Sequence, residues 1–164
     1  MPLEYAYGYD QAVASFVAKL IPHCRRGFGP NARAIGIVEG QELIAGLVYH
    51  NYDPDAAIIE ISGAALPGRR WLSRETIRRM YRFPFLDCNC QMVVQRTPAD
   101  NERLLGMLAA YDYSFISMPR LFGRDRHGVI CCLTYEAWAG NRFNQRFNHH
   151  IQDLPNPLFR EAAE

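Results

Sequence analysis

Apolar and polar positions along the chain change rhythm several times, and each change marks a predicted element. Leu3 to Gly8 is aromatic-rich and reads as a short edge strand. From Asp10 the spacing turns helical, with Ala12, Phe16, Val17 and Leu20 on one face, Asp10 as the expected N-cap and Pro22 as the stop. Three short strands follow, at Ala34–Val38, Leu43–Tyr49 and Ile58–Ala64, separated by turns at Glu39-Gly40-Gln41-Glu42 and Tyr52-Asp53-Pro54-Asp55. A second helix is predicted behind Ser73 as N-cap, with Glu75 in its first turn, an apolar stripe of Ile77, Met80 and Tyr81, and Pro84 ending or kinking it. Cys90 to Gln95 reads as a strand buried on both faces. Thr97-Pro98 is expected to open a third helix, in which Leu104, Leu105, Leu108 and Tyr111 recur at helical spacing. Tyr113–Met118 and Val129–Tyr135 close the series as strands. The order predicts an α/β or α+β mixed sheet, central and mostly antiparallel, flanked by helices. One domain is expected over residues 1–138, followed by a tail, 139–164, that packs on the domain or on a partner.

Composition narrows the functional classes. The chain has 164 residues, 49% hydrophobic and 21% charged, which suits one folded domain and argues against a disordered protein. No apolar run reaches the length of a membrane span, the start lacks an export signal, and a cytoplasmic setting is expected. The net charge of +1 leaves attraction to polyanions to local patches. Lys19 is the only lysine beside seventeen arginines, a bias that GC-rich codons explain as readily as phosphate binding. Five cysteines without a disulfide or zinc spacing read as free thiols in apolar surroundings, and no metal site is expected, His149-His150 included.

Two stretches carry a family resemblance. Ile58-Ile59-Glu60-Ile61-Ser62-Gly63-Ala64-Ala65-Leu66 resembles the fourth strand of the GNAT superfamily of acyl-CoA-dependent N-acetyltransferases, and the stretch from Gln91 through Asn101 and Leu108 to Asp112-Tyr113 resembles its fifth strand and following helix. The chain is also similar to GNAT-like proteins of phages and prophages, from about Gly29 to Trp138. The resemblance implies acetyl-CoA as co-substrate, held by Ala64, Leu66, Arg69, Arg70, Ser73, Arg74 and Asn101. It also implies an amine acceptor, with Glu60 as general base acting through a water. Two departures stand out. Leu72 and Arg74 fall where the family's cofactor loop has glycine or alanine, and Leu108 falls where many members carry a tyrosine general acid, a role left to Tyr111 or Tyr113.

The residues themselves support some of this chemistry. Glu60 sits among Ile58, Ile59 and Ile61, where loss of water would raise a carboxyl pKa toward that of a working base; strand alternation pointing it at solvent or an arginine is the plain alternative. His50 ends the predicted third strand, where it would orient a substrate, act as base, or simply close a hydrogen bond. Arg74, Arg78 and Arg82 share a helix face suited to the CoA 3′-phosphate, to nucleic acid, or to solvent alone. In the tail, Phe143 and Phe147 beside Arg142 and Arg146 suggest docking on the core or on a second copy, a homodimer, with single-strand binding as the alternative. Besides the acetyltransferase, two readings remain on the same fold: a binding protein without catalysis, and a phage-type enzyme that modifies DNA bases.

Overall fold

The predicted turn at Glu39-Gly40-Gln41-Glu42 forms a tight connection between two paired strands. In a computed structural model, residues 1–144 are described, and they fall into two compact units: Met1–Asp53 with Ile59–Phe83, and Pro54–Ile58 with the chain from Pro84 onward.

The first unit holds strands β1 (Leu3–Ala6), β2 (Arg33–Glu39), β3 (Glu42–Asp53) and β4 (Ile58–Ala65), hydrogen-bonded in that order. β1 and β2 pair antiparallel, as do β2 and β3. Glu39 pairs with Glu42 across a two-residue loop in which Gly40 has φ +65, the left-handed conformation such hairpins need. Helix α1 (Asp10–Leu20) lies on this sheet through Val13, Ala14 and Val17, which pack with Ala32, Ala34 and Val48. Gly36 and Gly46 face each other in the β2–β3 register. A Cβ on Gly46 would stand 2.6 Å from Val17 and 2.7 Å from Val13, so its bare backbone is what lets the helix sit this close.

Helix α2 (Arg74–Arg82) starts as the sequence predicts: Ser73 Oγ accepts the Thr76 N–H at 3.0 Å. The Thr76 hydroxyl donates to the Trp71 carbonyl at 2.7 Å and lies 2.8 Å from Tyr5 Oη, tying the helix start to the first strand. Its far end is fixed by Tyr49, whose buried hydroxyl donates to the Met80 carbonyl at 2.7 Å. Pro84 does not end the helix outright; a π-helical turn, Phe83–Asp87, carries the chain past it.

The second unit holds β5 (Met92–Pro98), β6 (Ser114–Gly123) and β7 (Arg126–Thr134), in the antiparallel order β5-β7-β6. Helices α3 (Glu102–Ala110) and α4 (Tyr135–Gly140) complete it. Phe85 stacks on Trp138 at 4.8 Å and meets Tyr135 edge-on at 5.9 Å. The Gln91 N–H donates to the Ala57 carbonyl at 2.8 Å, and its side-chain amide donates to that of Ala56 at 2.6 Å.

Several boundaries differ from expectation, each for a physical reason. Asp10 does not cap α1; its carboxylate accepts the Ala34 N–H at 2.8 Å and pairs with Arg33, leaving Tyr9 at the cap position. β3 continues past Tyr49 to Asp53, taking in Asn51 at φ +51 as a local irregularity, and the turn moves to residues 54–57. β5 alternates instead of burying both faces: Val93, Gln95 and Thr97 point inward while Met92, Val94 and Arg96 are half-buried. Pro98 ends that strand rather than opening a helix, and Asn101 caps α3 by accepting the Leu104 N–H at 3.3 Å. Tyr135 belongs to α4, since Thr134 Oγ1 takes the Ala137 N–H at 3.1 Å and turns the chain. The cysteines form no disulfide, with Cys24, Cys90 and Cys131 buried but Cys88 and Cys132 only partly so. The expectations for Phe147, Arg146, His149-His150 and the rest of the tail lie outside the described residues. Among the described residues, no helix is long and apolar enough to cross a membrane.

Candidate active site

The most concentrated buried polar chemistry of the first unit lies where β3 and β4 carry His50 and Glu60. Alternation along β4 puts Glu60 and Ser62 on one face. Both reach the same imidazole nitrogen: His50 Nε2 is 2.9 Å from Ser62 Oγ and 3.4 Å from Glu60 Oε2. The His50 and Glu60 side chains are 5% and 11% exposed, so this is a buried pair and not a surface contact. A bare nitrogen lone pair facing a carboxylate would be repelled, so Nε2 carries the proton and donates it toward the two oxygens. The Phe28 ring lies 4.7 Å from the imidazole, closing one side with apolar surface.

Asn51 supplies the other carboxylate oxygen with a donor: its Nδ2 donates to Glu60 Oε1 at 3.5 Å. Neighbouring residues on a regular strand point to opposite faces, yet His50 and Asn51 both reach Glu60. The left-handed backbone at Asn51 makes this possible, and asparagine is among the few side chains that tolerate it. Glu60 is thus buried with a donor toward each oxygen, an arrangement that suits proton transfer. The sequence singled out His50 and Glu60, which the structure brings together, but not Ser62, Asn51 or Phe28. Ser62 was signalled by its spacing of two from Glu60; nothing local pointed to Asn51 or Phe28.

The expected cofactor loop is partly committed elsewhere. Leu66-Pro67-Gly68-Arg69 forms a type II turn: the Arg69 N–H donates to the Leu66 carbonyl at 3.2 Å, and Gly68, at φ +76, takes the position only glycine fills easily. The turn aims Arg69 back at the β2–β3 hairpin, where its guanidinium pairs with Glu39 at 2.7 Å and also with Glu42. The Leu66 N–H is taken by the Ile44 carbonyl at 2.8 Å, Ala64 packs against the α1 cluster, and Ser73 caps α2. Arg78 and Arg79 are held by Glu75 at 2.9 and 2.7 Å, and the hydrogen bond from Arg78 holds the Glu75 carboxyl below its ordinary range. Arg79 also lies over the Tyr5 ring at 4.4 Å. That leaves Arg70 and Arg74, exposed and without an ion-pair partner among the described residues, beside the first turn of α2.

The remaining candidates belong to the second unit. Asn101 caps α3, and Leu108 is buried. Tyr113 Oη accepts from Gln95 Nε2 at 2.6 Å. Tyr111 is 8% exposed, its ring 5.3 Å from Phe143. Burial pushes its phenol up to about 12 against hydrogen bonds from Asn141 and Asn144 that pull the other way. Burial likewise pushes the Cys90 thiol to about 12. Both groups keep their protons in the folded chain after the unfolded chain has lost them, near 10 for the phenol and 9 for the thiol. The stability they contribute is complete below about pH 9 and is lost as pH rises toward about 12, by about 1 kcal/mol per pH unit for each group. Urea unfolding at pH 8 and at pH 11 measures this; an unchanged midpoint would mean these groups are not shielded.

No protein-family model and no curated protein sequence matches the chain. Solved structures do. The spermidine/spermine N-acetyltransferase SpeG of Vibrio cholerae superposes with a TM-score of 0.67 at 11% identity, covering 84% of this chain and 97% of that one. A structure assigned as an acetyltransferase gives 0.65 at 15% identity over 84% and 88% of the two chains. Another so assigned, from T. thermophilus, gives 0.60 at 19% identity over 74% and 67%. With its seven strands, their antiparallel pairings and the helices packed on them, the chain has the fold of the GNAT-type acetyltransferases.

Proposed function

We propose that the chain transfers an acetyl group from acetyl-CoA to an amine, with Glu60 as general base. The observation that carries this reading is the buried Glu60 carboxylate with His50 at one oxygen and Asn51 at the other, on a fold shared with acetyltransferases. Glu60, acting through a water, takes a proton from the acceptor ammonium. The neutral nitrogen attacks the thioester carbonyl and the C–N bond forms; the nitrogen then gives up its second proton to solvent, the C–S bond breaks, and the departing thiolate is protonated from solvent. His50 and Asn51 hold the carboxylate in place, and Ser62 holds His50. Tyr111 is assigned a packing role, because its phenol is buried beside Asn141 and Asn144.

Acetyl-CoA brings an activated acyl group and a polyanionic tail. Arg70 and Arg74 are the cations free to meet that tail near the α2 N-terminus. Arg69 is not, because Glu39 and Glu42 neutralise it. Calorimetric titration of the full chain with acetyl-CoA tests the reading. Arg70→Ala with Arg74→Ala is expected to weaken binding at least ~10-fold, the size expected for lost charge-assisted hydrogen bonds. Arg69→Ala is expected to act mainly on stability. Equal binding by the double variant would exclude both arginines.

One observation favours a second reading, a binding protein on this fold without catalysis: Arg69 and the Leu66 N–H are spent within the protein. Absence of acetyl-CoA binding up to millimolar concentration would select it. The DNA-modifying reading loses support from the pairing of Arg78 and Arg79 with Glu75, which removes two cations from the helix face.

A further inference from the structure

A carboxylate that takes a proton through a water has to be reached by water, yet the Glu60 and His50 side chains are buried together. Their cover therefore has to open. On β3, Val48 and His50 lie two residues apart and share a face of the sheet. What covers that face changes in kind between them. Val48 packs with Val13, Ala14 and Val17 of the eleven-residue helix α1. The imidazole instead meets the Phe28 ring at 4.7 Å, and Phe28 belongs to the loop that leads into β2.

Phe28 is held by its side chain more than by its backbone. It stands between Gly27 and Gly29, both in the left-handed region at φ +86 and +82. A Cβ on either would meet nothing within 4 Å, so these glycines answer no packing need and leave the backbone on both sides of Phe28 free to turn. The Gly27 N–H donates to the Cys24 carbonyl at 2.8 Å. Beyond it the loop is tied by the Gln11 amide, which donates to the Gly29 and Pro30 carbonyls at 3.4 and 3.3 Å, both at the surface. The ring itself is half-buried, against the α1 cluster on one side and His50 on the other. Exposed hydrogen bonds and few buried contacts mark the segments that open locally, at less cost than global unfolding.

We propose that Phe28 is the gate of the Glu60 site. The ring swings out about Gly27 and Gly29, water and the acceptor amine enter beside His50, and the return of the ring closes the site. The purpose of this gate rests on the role proposed for Glu60, whereas the opening does not and is measured without acetyl transfer.

Carbethoxylation of His50 by diethyl pyrocarbonate, followed by peptide mass spectrometry on the full chain, tests the gate, with the exposed His127 as internal reference. In the wild-type chain His50 is expected to react more slowly than His127, at a rate nearly independent of urea below the unfolding transition, because a local opening exposes little surface. Phe28→Ala is expected to speed the His50 reaction at least ~10-fold, since a minor open state is populated to roughly 10% or less. Phe28→Leu keeps an apolar cover of smaller bulk and is expected to fall between the two, which guards against an alanine variant that fails to fold. A His50 rate that climbs with urea as steeply as global unfolding overturns the gate. So do equal rates in the wild-type and Phe28→Leu chains when Phe28→Ala is also unchanged. Absence of acetyl transfer would count against Glu60 as base and not against the opening, so the two fail separately.

Discussion

Glu60→Gln is expected to lower the turnover of acetyl transfer by roughly 10²–10⁴-fold, the range that a positioned general base supplies. The change keeps the shape of the side chain and leaves Ser62 and Asn51 to hold their neighbours, but an amide takes no proton. Acetyl-CoA binding is expected to be unchanged, because Arg70 and Arg74 lie outside the strand that carries Glu60. The deficit should also depend on pH. As pH rises toward the pKa of the acceptor amine, more of the amine is already neutral and less is asked of the base, so wild type and variant should converge. A deficit that stays constant across pH would make Glu60 a positioning group. Full activity in the variant would remove it from the mechanism.

Phe85→Ala is expected to cost roughly 3–5 kcal/mol, the usual range for deleting a buried phenylalanine. Phe85 is 1% exposed between the Trp138 and Tyr135 rings, so the lost ring takes both aromatic contacts with it and leaves a cavity beside α4. Natural domains hold only ~5–15 kcal/mol in total, so this single change approaches the whole margin. Urea unfolding of the variant measures it, and Phe85→Leu should recover more than half by refilling part of the space. A loss below ~1 kcal/mol would show that the second unit closes over the gap.

What the sequence made legible was mostly local. The loop at Gly40 and the cap at Ser73 rest on residues that act on their immediate neighbours, and both form as predicted. Asp10 and Pro98 failed because a distant or competing partner won: the Ala34 N–H drew the Asp10 carboxylate away, and Asn101 supplied a cap that moved the helix start. The candidate site divides the same way. Glu60 and His50 stand out by residue type and strand position, and they do meet. Their meeting depends on Asn51, whose left-handed backbone no periodicity announces. Arg69 was chosen for its charge, but the same turn that marks the loop delivers it to Glu39 and Glu42, which lie about thirty residues earlier in the chain.

The turn at residues 54–57 joins two strands of the first unit yet belongs to the second, where Gln91 bonds to Ala56 and Ala57. During synthesis, therefore, a hairpin that leaves the ribosome early waits for a residue 35 positions later before its connection is tied down. Contacts of such sequence separation form late and slow folding, since a long loop must close first. The two units are accordingly not separable by a single cut: a fragment ending at Phe83 keeps the turn but lacks Gln91, and one starting at Pro84 keeps Gln91 but lacks the carbonyls it binds.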